Sequence, residues 1–217
     1  MIICKRLNPN DSINSLSEWF DKCPPQKGAD HWKDERSAKE LAKYWLTNQQ
    51  SSTKEYTNVI NSHHDFQDIT LDLGSPEYVT DFDDYDNGRV HDFFISGKQG
   101  AEKLLFGVEA KVDEEFGDII GEYYLESQLK KINEKNTNAP ARIEKLIVSL
   151  LKKPISKKVF GLRYQLFHAV AGLLAEANRL NAKKAVLMIH IFKTKGLRPE
   201  KYKNNMRDLD QFIKMIS

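Results

Sequence analysis

Apolar positions near the start of the chain recur every three or four residues. Ile13, Leu16, Trp19 and Phe20 predict a short helix over residues 12–23, ended by Pro24 and Pro25. Ser37 is suited to cap a second helix, along which Ala38, Leu41, Ala42 and Trp45 form one apolar stripe. A weaker helical stretch runs from about Lys54 to Ser62.

The middle of the chain changes period. Residues Glu77 to Asp83 alternate and include Tyr78, Val79 and Phe82; Val90 to Ser96 is a better strand, and Leu104 to Val112 the best. Gly97-Lys98-Gln99-Gly100 is a turn signal between the last two, which makes them an antiparallel hairpin. After Gly117 the helical period returns, over about 118–134 and then 140–152, with Pro140 in the first turn. A long helix from Leu162 to Leu180 carries Leu162, Leu166, Ala169, Val170, Leu173 and Ala177 on a stripe that must be buried. Lys184 to Lys193 is nearly continuous in apolar residues, as in a strand covered on both faces. A closing amphipathic helix with Met206, Leu209, Phe212, Ile213 and Ile216 is expected to cap the core. The order is helix, three strands, helices, strand. No linker rich in Gly, Pro or Ser divides it, so residues 1–217 read as one α/β domain.

Composition agrees with a folded interior: 217 residues, 40% hydrophobic and 29% charged. Apolar runs are too short to span a membrane, and Met1-Ile2-Ile3-Cys4-Lys5-Arg6 is unlike a signal peptide. Two cysteines without Cys-x-x-Cys spacing suit free thiols, so a cytoplasmic location is expected. The net charge of +2 conceals an asymmetry, −12 over residues 1–129 against +14 over 130–217. A basic half suits nucleic acid, unless the two halves neutralise one another on folding.

The strand at Leu104 to Val112 carries the candidate chemistry. Phe106, Val108, Ala110 and Val112 share one face, while Leu105, Gly107, Glu109 and Lys111 share the other. Charged side chains in mid-sheet are costly unless paired or bound to metal. With 15 Glu and 25 Lys in the chain, a Glu-x-Lys triplet arises by chance, so the location carries the signal. If the hairpin turns between Gly100 and Ala101, paired residue numbers sum to 201 and Asp92 falls opposite Glu109. Two carboxylates on adjacent strands with a nearby lysine suit phosphodiester hydrolysis with Mg²⁺ or Mn²⁺: oxygen ligands hold the ion and the lysine serves the attacking water.

Asp92, Glu109-Ala110-Lys111 and Gln165 at the start of the long helix together resemble the PD-(D/E)xK superfamily, the restriction-endonuclease-like nucleases. His31-Trp32-Lys33 with Ser37 to Ala42, and Val108 to Gly117, also look like a little-characterised bacterial family within it. His91 stands where the name-giving proline would be, and Ala169 where a tyrosine follows the glutamine in many members. The resemblance implies a restriction-endonuclease-like core over about residues 37–193, with a helix, a three-strand meander, helices and a strand, flanked by further helices. It implies a metal-dependent endonuclease, with Asp92 and Glu109 on the metal and Lys111 and Gln165 completing the catalytic set. It also implies that the first core helix can add a ligand, for which Glu40 is the candidate.

Other readings stand beside these. Asp92 and Glu109 can pair with Lys111 and Arg89 as a salt-bridge cluster, and Gln165 can serve a backbone group. Lys152, Lys153, Lys157 and Lys158 offer phosphate contacts at a helix start, or a solvated loop. His63-His64-Asp65 and the run Asp81, Asp83, Asp84, Asp86 read as solvated loops, and His168 as a satisfied interface histidine. The expected partner is nucleic acid, DNA in preference to RNA, with no membrane and with room for a homodimer. The alternative is a non-catalytic nucleic-acid-binding or defence-associated interaction module on the same fold.

Overall fold

Five strands form one mixed sheet: β1 (Ile2–Ile3), β2 (Ile69–Thr80), β3 (Arg89–Gln99), β4 (Glu102–Lys111) and β5 (Lys184–Ile191), in that spatial order. β2, β3 and β4 are an antiparallel meander, β1 runs parallel to β2, and β5 runs parallel to β4. The structure is a computed structural model that describes residues 1–85, 87–133, 135–152 and 156–216. Asp86 of the acidic run and Lys153 of the basic run therefore lie outside the described residues.

The helices sort to the two faces by the sequence pattern. α1 (Leu16–Lys22), α2 (Ser37–Thr47) and α3 (Gln49–Asn61) send Trp19, Leu41, Trp45, Tyr56 and Ile60 onto Phe93, Phe106 and Val108. Phe93 is fully buried and stacks on Trp19 and Trp45, with ring centroids 5.5 and 5.0 Å away. On the opposite face α7 (Tyr164–Arg179) packs Leu173 and Ala177 against Tyr78, Phe94 and Leu105. Behind it lie α4 (Ile120–Ile132), α5 (Ala139–Leu151), α6 (Lys157–Phe160) and α8 (Pro199–Ile216), around Phe116, Ile147, Phe167 and Phe212. The alternation along β4 is the expected one, with Phe106, Val108 and Ala110 toward α1–α3.

Four readings need correction. The first long strand starts at Ile69, not Glu77, and ends at Thr80. Its alternation is interrupted by a register shift between Leu71 and Leu73, and Gly74-Ser75-Pro76 has turn composition within a strand. Pro76 lies past the two-residue pairing with β1, where an uncovered edge tolerates a missing N–H. Ser37 is the first helical residue rather than a cap, its hydroxyl going instead to Glu114 at 3.0 Å. β5 is half-buried along its whole length because it forms the sheet edge. In α8, Phe212 is buried but Met206, Ile213 and Ile216 are exposed, so that helix covers the core with part of its apolar face only. Among the described residues no helix is long and apolar enough to cross a membrane. Cys4 and Cys23 are both free and buried.

Candidate active site

The β3–β4 hairpin has the register that the turn at Gly100–Ala101 dictates, from Gln99↔Glu102 to Phe93↔Val108. Beyond that last pair the strands part. There Asp92 leaves the ladder, and its Oδ2 accepts the Ala110 backbone N–H at 2.7 Å, replacing a main-chain partner. Asp92 thus caps the splayed strands instead of standing in a regular pair with Glu109.

On β4, Glu109 is fully buried and Lys111 is 6% exposed. Gln165, one residue into α7, joins them. Its Nε2 donates to Glu109 Oε2 at 2.9 Å, and its Oε1 accepts from Lys111 Nζ at 3.0 Å. Lys111 Nζ also sits 5.5 Å from the centre of the Phe116 ring. The remaining oxygen of Glu109 accepts from Arg89 Nη2, an ion pair buried at both ends. Asp92, Glu109, Lys111 and Gln165 are therefore brought together, with Arg89 added.

Two small residues permit this assembly. A Cβ on Gly107 would meet His91 Nδ1 at 2.9 Å, and one on Gly172 would meet Arg89 Cβ at 2.8 Å. Without them β4 and α7 could not approach Arg89 and His91 this closely.

The sequence reading missed Glu77. Pairs Pro76↔Phe93 and Tyr78↔His91 bracket Glu77 and Asp92, so Glu77, Asp92 and Glu109 come one from each strand of the meander. Glu77 has φ +45°, rare for a non-glycine residue, and among the described residues its side chain has no hydrogen bond or ion pair. Burial, then the charges of Asp92 and Glu109, push its carboxyl up to about 9. Burial likewise raises Glu109, against the pull of Arg89. Burial alone would lower Arg89, but Glu109, Asp92 and Glu77 more than offset that. The signal for Glu77 lay in the β2–β3 register, legible only once the boundaries of β2 are known.

Among the described residues, three buried polar atoms around this cluster lack a hydrogen-bond partner: Arg89 Nε, His91 Nδ1 and His168 Nε2. His91 is fully buried, with Nε2 3.3 Å from Thr80 Oγ1 and Nδ1 3.9 Å from Glu109 Oε1. Burial and the nearby Arg89 hold His91 well below the usual histidine range, and burial with Arg89 and Arg142 brings His168 down to about 3. His168 stacks on Tyr164 at 5.2 Å but is not the satisfied interface histidine expected of it.

The cluster borders a cleft of about 960 Å³, lined among others by Glu77, Arg89, Asp92, Lys111, Gln165 and His168, while the fully buried Glu109 and His91 lie behind that lining. Glu40 is not among its lining residues; it accepts from Glu35 N at 2.9 Å and pairs with Lys43. Acidic groups that do reach the cleft include Glu114, with Glu115 and Asp118 after it. Burial would raise Glu114, but donors from the Val112 backbone and Ser37 hold it below the usual range. Lys152, Lys157 and Lys158 are exposed, make no ion pair among the described residues and do not line the cleft. His63, His64 and Asp65 are exposed, as read, although their ligand atoms lie within 4.8 Å of one another. Asp83 is not a solvated residue, since Arg142 grips it at 2.7 and 3.0 Å and its side chain is 5% exposed. With Lys145–Asp84, Arg163–Glu115, Lys201–Glu115 and Arg198–Asp113, that pair links the basic half to the acidic one, so part of the charge asymmetry is neutralised internally.

No match was found among curated proteins or among solved structures. Over residues 12–217 the sequence matches a family described as a domain of unknown function, DUF6946, and the chain belongs to that family.

Proposed function

We propose that this chain is a Mg²⁺- or Mn²⁺-dependent nuclease of the PD-(D/E)xK kind, acting on DNA in preference to RNA. One observation carries the reading: Glu109, Gln165 and Lys111 form a continuous hydrogen-bonded chain beside Asp92, at the point where two strands part beneath a large cleft. The fold supports it, because a helix, an antiparallel three-strand meander, helices and a strand parallel to the third are the parts of a restriction-endonuclease-like core.

The donor set fits a hard divalent cation. Asp92 and Glu109 supply carboxylate oxygens, and Asp92 gives only one of its two to a protein donor among the described residues. A bound cation would neutralise charge on the scissile phosphate and acidify a water. Lys111 keeps its ammonium at the cleft wall, where it can orient that water or stabilise charge developing on the phosphate. Gln165 fixes the distance between Lys111 and Glu109, so the two act as one unit.

The second reading, a non-catalytic nucleic-acid-binding or defence-associated module, also has an observation in its favour. Both oxygens of Glu109 are taken by protein donors, Arg89 and Gln165, as in a structural ion-pair cluster. Incubation with plasmid, single-stranded DNA and RNA, with Mg²⁺, Mn²⁺ or EDTA, separates the two. The nuclease reading expects cation-dependent cleavage that EDTA abolishes; binding with no cleavage under any cation supports the module.

A further inference from the structure

The cleft is poor in the charge that draws in a phosphate backbone. Among the described residues its lining carries four Lys or Arg against five Asp or Glu, and Arg89 and Arg142 are already paired, with Glu109 and Asp83. The exposed Lys152, Lys157 and Lys158 lie outside it. What the cleft has instead is aromatic surface: Tyr123 from α4, Tyr164 and His168 from α7, and Tyr85 from the β2–β3 connection.

Three of these rings are joined. Tyr164 and His168 stand one helical turn apart and stack at 5.2 Å with an interplanar angle of 24°. Tyr123 leans on Tyr164, with centroids 5.2 Å apart. Phe82 backs His168 edge-on at 4.9 Å, and Arg142 lies over the Phe82 ring at 4.7 Å. The result is a supported platform whose rings stay half-buried. Their polar ends are unspent. Tyr124, which does not line the cleft, gives its hydroxyl to Glu144 and accepts from Gln128, whereas among the described residues the hydroxyls of Tyr123 and Tyr164 make no hydrogen bond. His168 Nε2 is buried without a partner, and buried polar atoms of native proteins are nearly all satisfied.

We propose that this platform stacks the unpaired bases of a nucleic acid, so that the preferred substrate carries a single-stranded stretch or end, with any flanking duplex held outside the cleft. This rests on the nucleic-acid reading above and narrows its substrate. Stacking suits a cleft without excess positive charge, because every base has a π face that an aromatic ring can hold. Bases within a duplex are covered on both faces by their neighbours, whereas unstacked ones are free to lie on aromatic side chains. Tyr164 directly precedes Gln165, which binds both Lys111 and Glu109, so a nucleotide stacked on Tyr164 sets an adjoining phosphate beside Lys111.

The test is fluorescence anisotropy with the full chain in EDTA, using a labelled single strand of DNA and a blunt hairpin duplex of the same sequence. Wild type should bind the single strand at least about tenfold more tightly. Tyr164→Leu and Tyr123→Leu should each weaken single-strand binding by about tenfold, as loss of one stacked base does, and leave duplex affinity unaltered. Tyr164→Phe, which keeps the ring, should stay within about twofold of wild type. Equal wild-type affinity for the two forms, or single-strand binding that both leucine variants retain, overturns the inference. Should the leucine variants fail to fold, photocrosslinking of wild type to a single strand bearing 5-iodouracil decides. Crosslinks are expected on Tyr123, Tyr164 or His168, and crosslinks found only elsewhere refute the platform. Cleavage of the same probes in Mn²⁺ keeps the two readings apart. Single-strand binding that falls in the leucine variants, with no cleavage, upholds the platform and overturns the nuclease reading; cleavage without preference between the probes overturns the inference alone. No binding of either probe overturns both.

Discussion

The Arg89–Glu109 pair gives the sharpest stability prediction. Glu109 has no exposed surface and the Arg89 side chain is 9% exposed, so neither charge can turn to solvent when its partner is removed. Glu109→Gln leaves a guanidinium buried without its counter-charge, and Arg89→Met leaves a carboxylate in the same position. Breaking one side of such a pair costs about 3–5 kcal/mol, whereas replacing both by groups of similar volume is often near neutral. The double variant should therefore be less destabilised than the sum of the single ones, with a coupling of about 2–3 kcal/mol. Gln165, which keeps its bond to position 109 in the glutamine variant, brings the Glu109→Gln cost toward the lower end. Urea unfolding of the four proteins in EDTA measures the cycle, with equal m-values as the check that the denatured state is unchanged. Additive effects, or a single-variant cost below about 0.5 kcal/mol, would refute a desolvated pair here.

Three further outcomes follow from the structure. Phe93→Ala should cost about 3–5 kcal/mol in the same unfolding assay, because the ring is fully buried between Trp19 and Trp45; a cost near 1 kcal/mol would contradict that packing. Burial brings His190 down to about 4, below the ordinary 6.5, so the folded state binds fewer protons than the unfolded chain between those values. Stability from this residue is present above about pH 6.5 and lost as pH falls toward 4, up to roughly 3 kcal/mol. Unfolding at pH 7.5 and 4.5 should show a smaller acid loss in His190→Gln, and an unchanged loss counts against the assignment. Replacing Lys152, Lys157 and Lys158 together should flatten the slope of log affinity against log salt for duplex DNA by roughly 2–3 units, at about 0.9 per phosphate contact. An unaltered slope with intact folding removes this segment from the binding surface.

Much of the site was written in local pattern. The alternation along β4 separates Glu109 and Lys111 from the apolar face, and a two-residue turn after Gln99 fixes the hairpin register without tertiary information. Gln165 was singled out only through the family resemblance, since its place early in the long helix does not by itself mark it as a site residue. Glu77 and Arg89 were harder because each depends on where a strand ends. The bulge at Leu71/Leu73 and the turn-like Gly74-Ser75-Pro76 hid the first half of β2, and with it the β2–β3 register that sets Glu77 opposite Asp92. β1 and α6 hold two and four residues, too few for any period to register. The edge position of β5 was illegible for another reason. An apolar run states that a strand is covered, and β5 is covered on its faces while one hydrogen-bonding edge stays open.

Cleavage of supercoiled plasmid by wild type and Lys111→Met, with Mn²⁺ present and duplex affinity measured alongside, tests the central claim most directly. Lys111 reaches the cleft, where its ammonium donates to Gln165 and lies over the Phe116 ring, so its removal should leave affinity within about twofold while lowering the cleavage rate by at least about a hundredfold. Equal nicking by both proteins, or none by wild type with any divalent cation, would contradict the nuclease account.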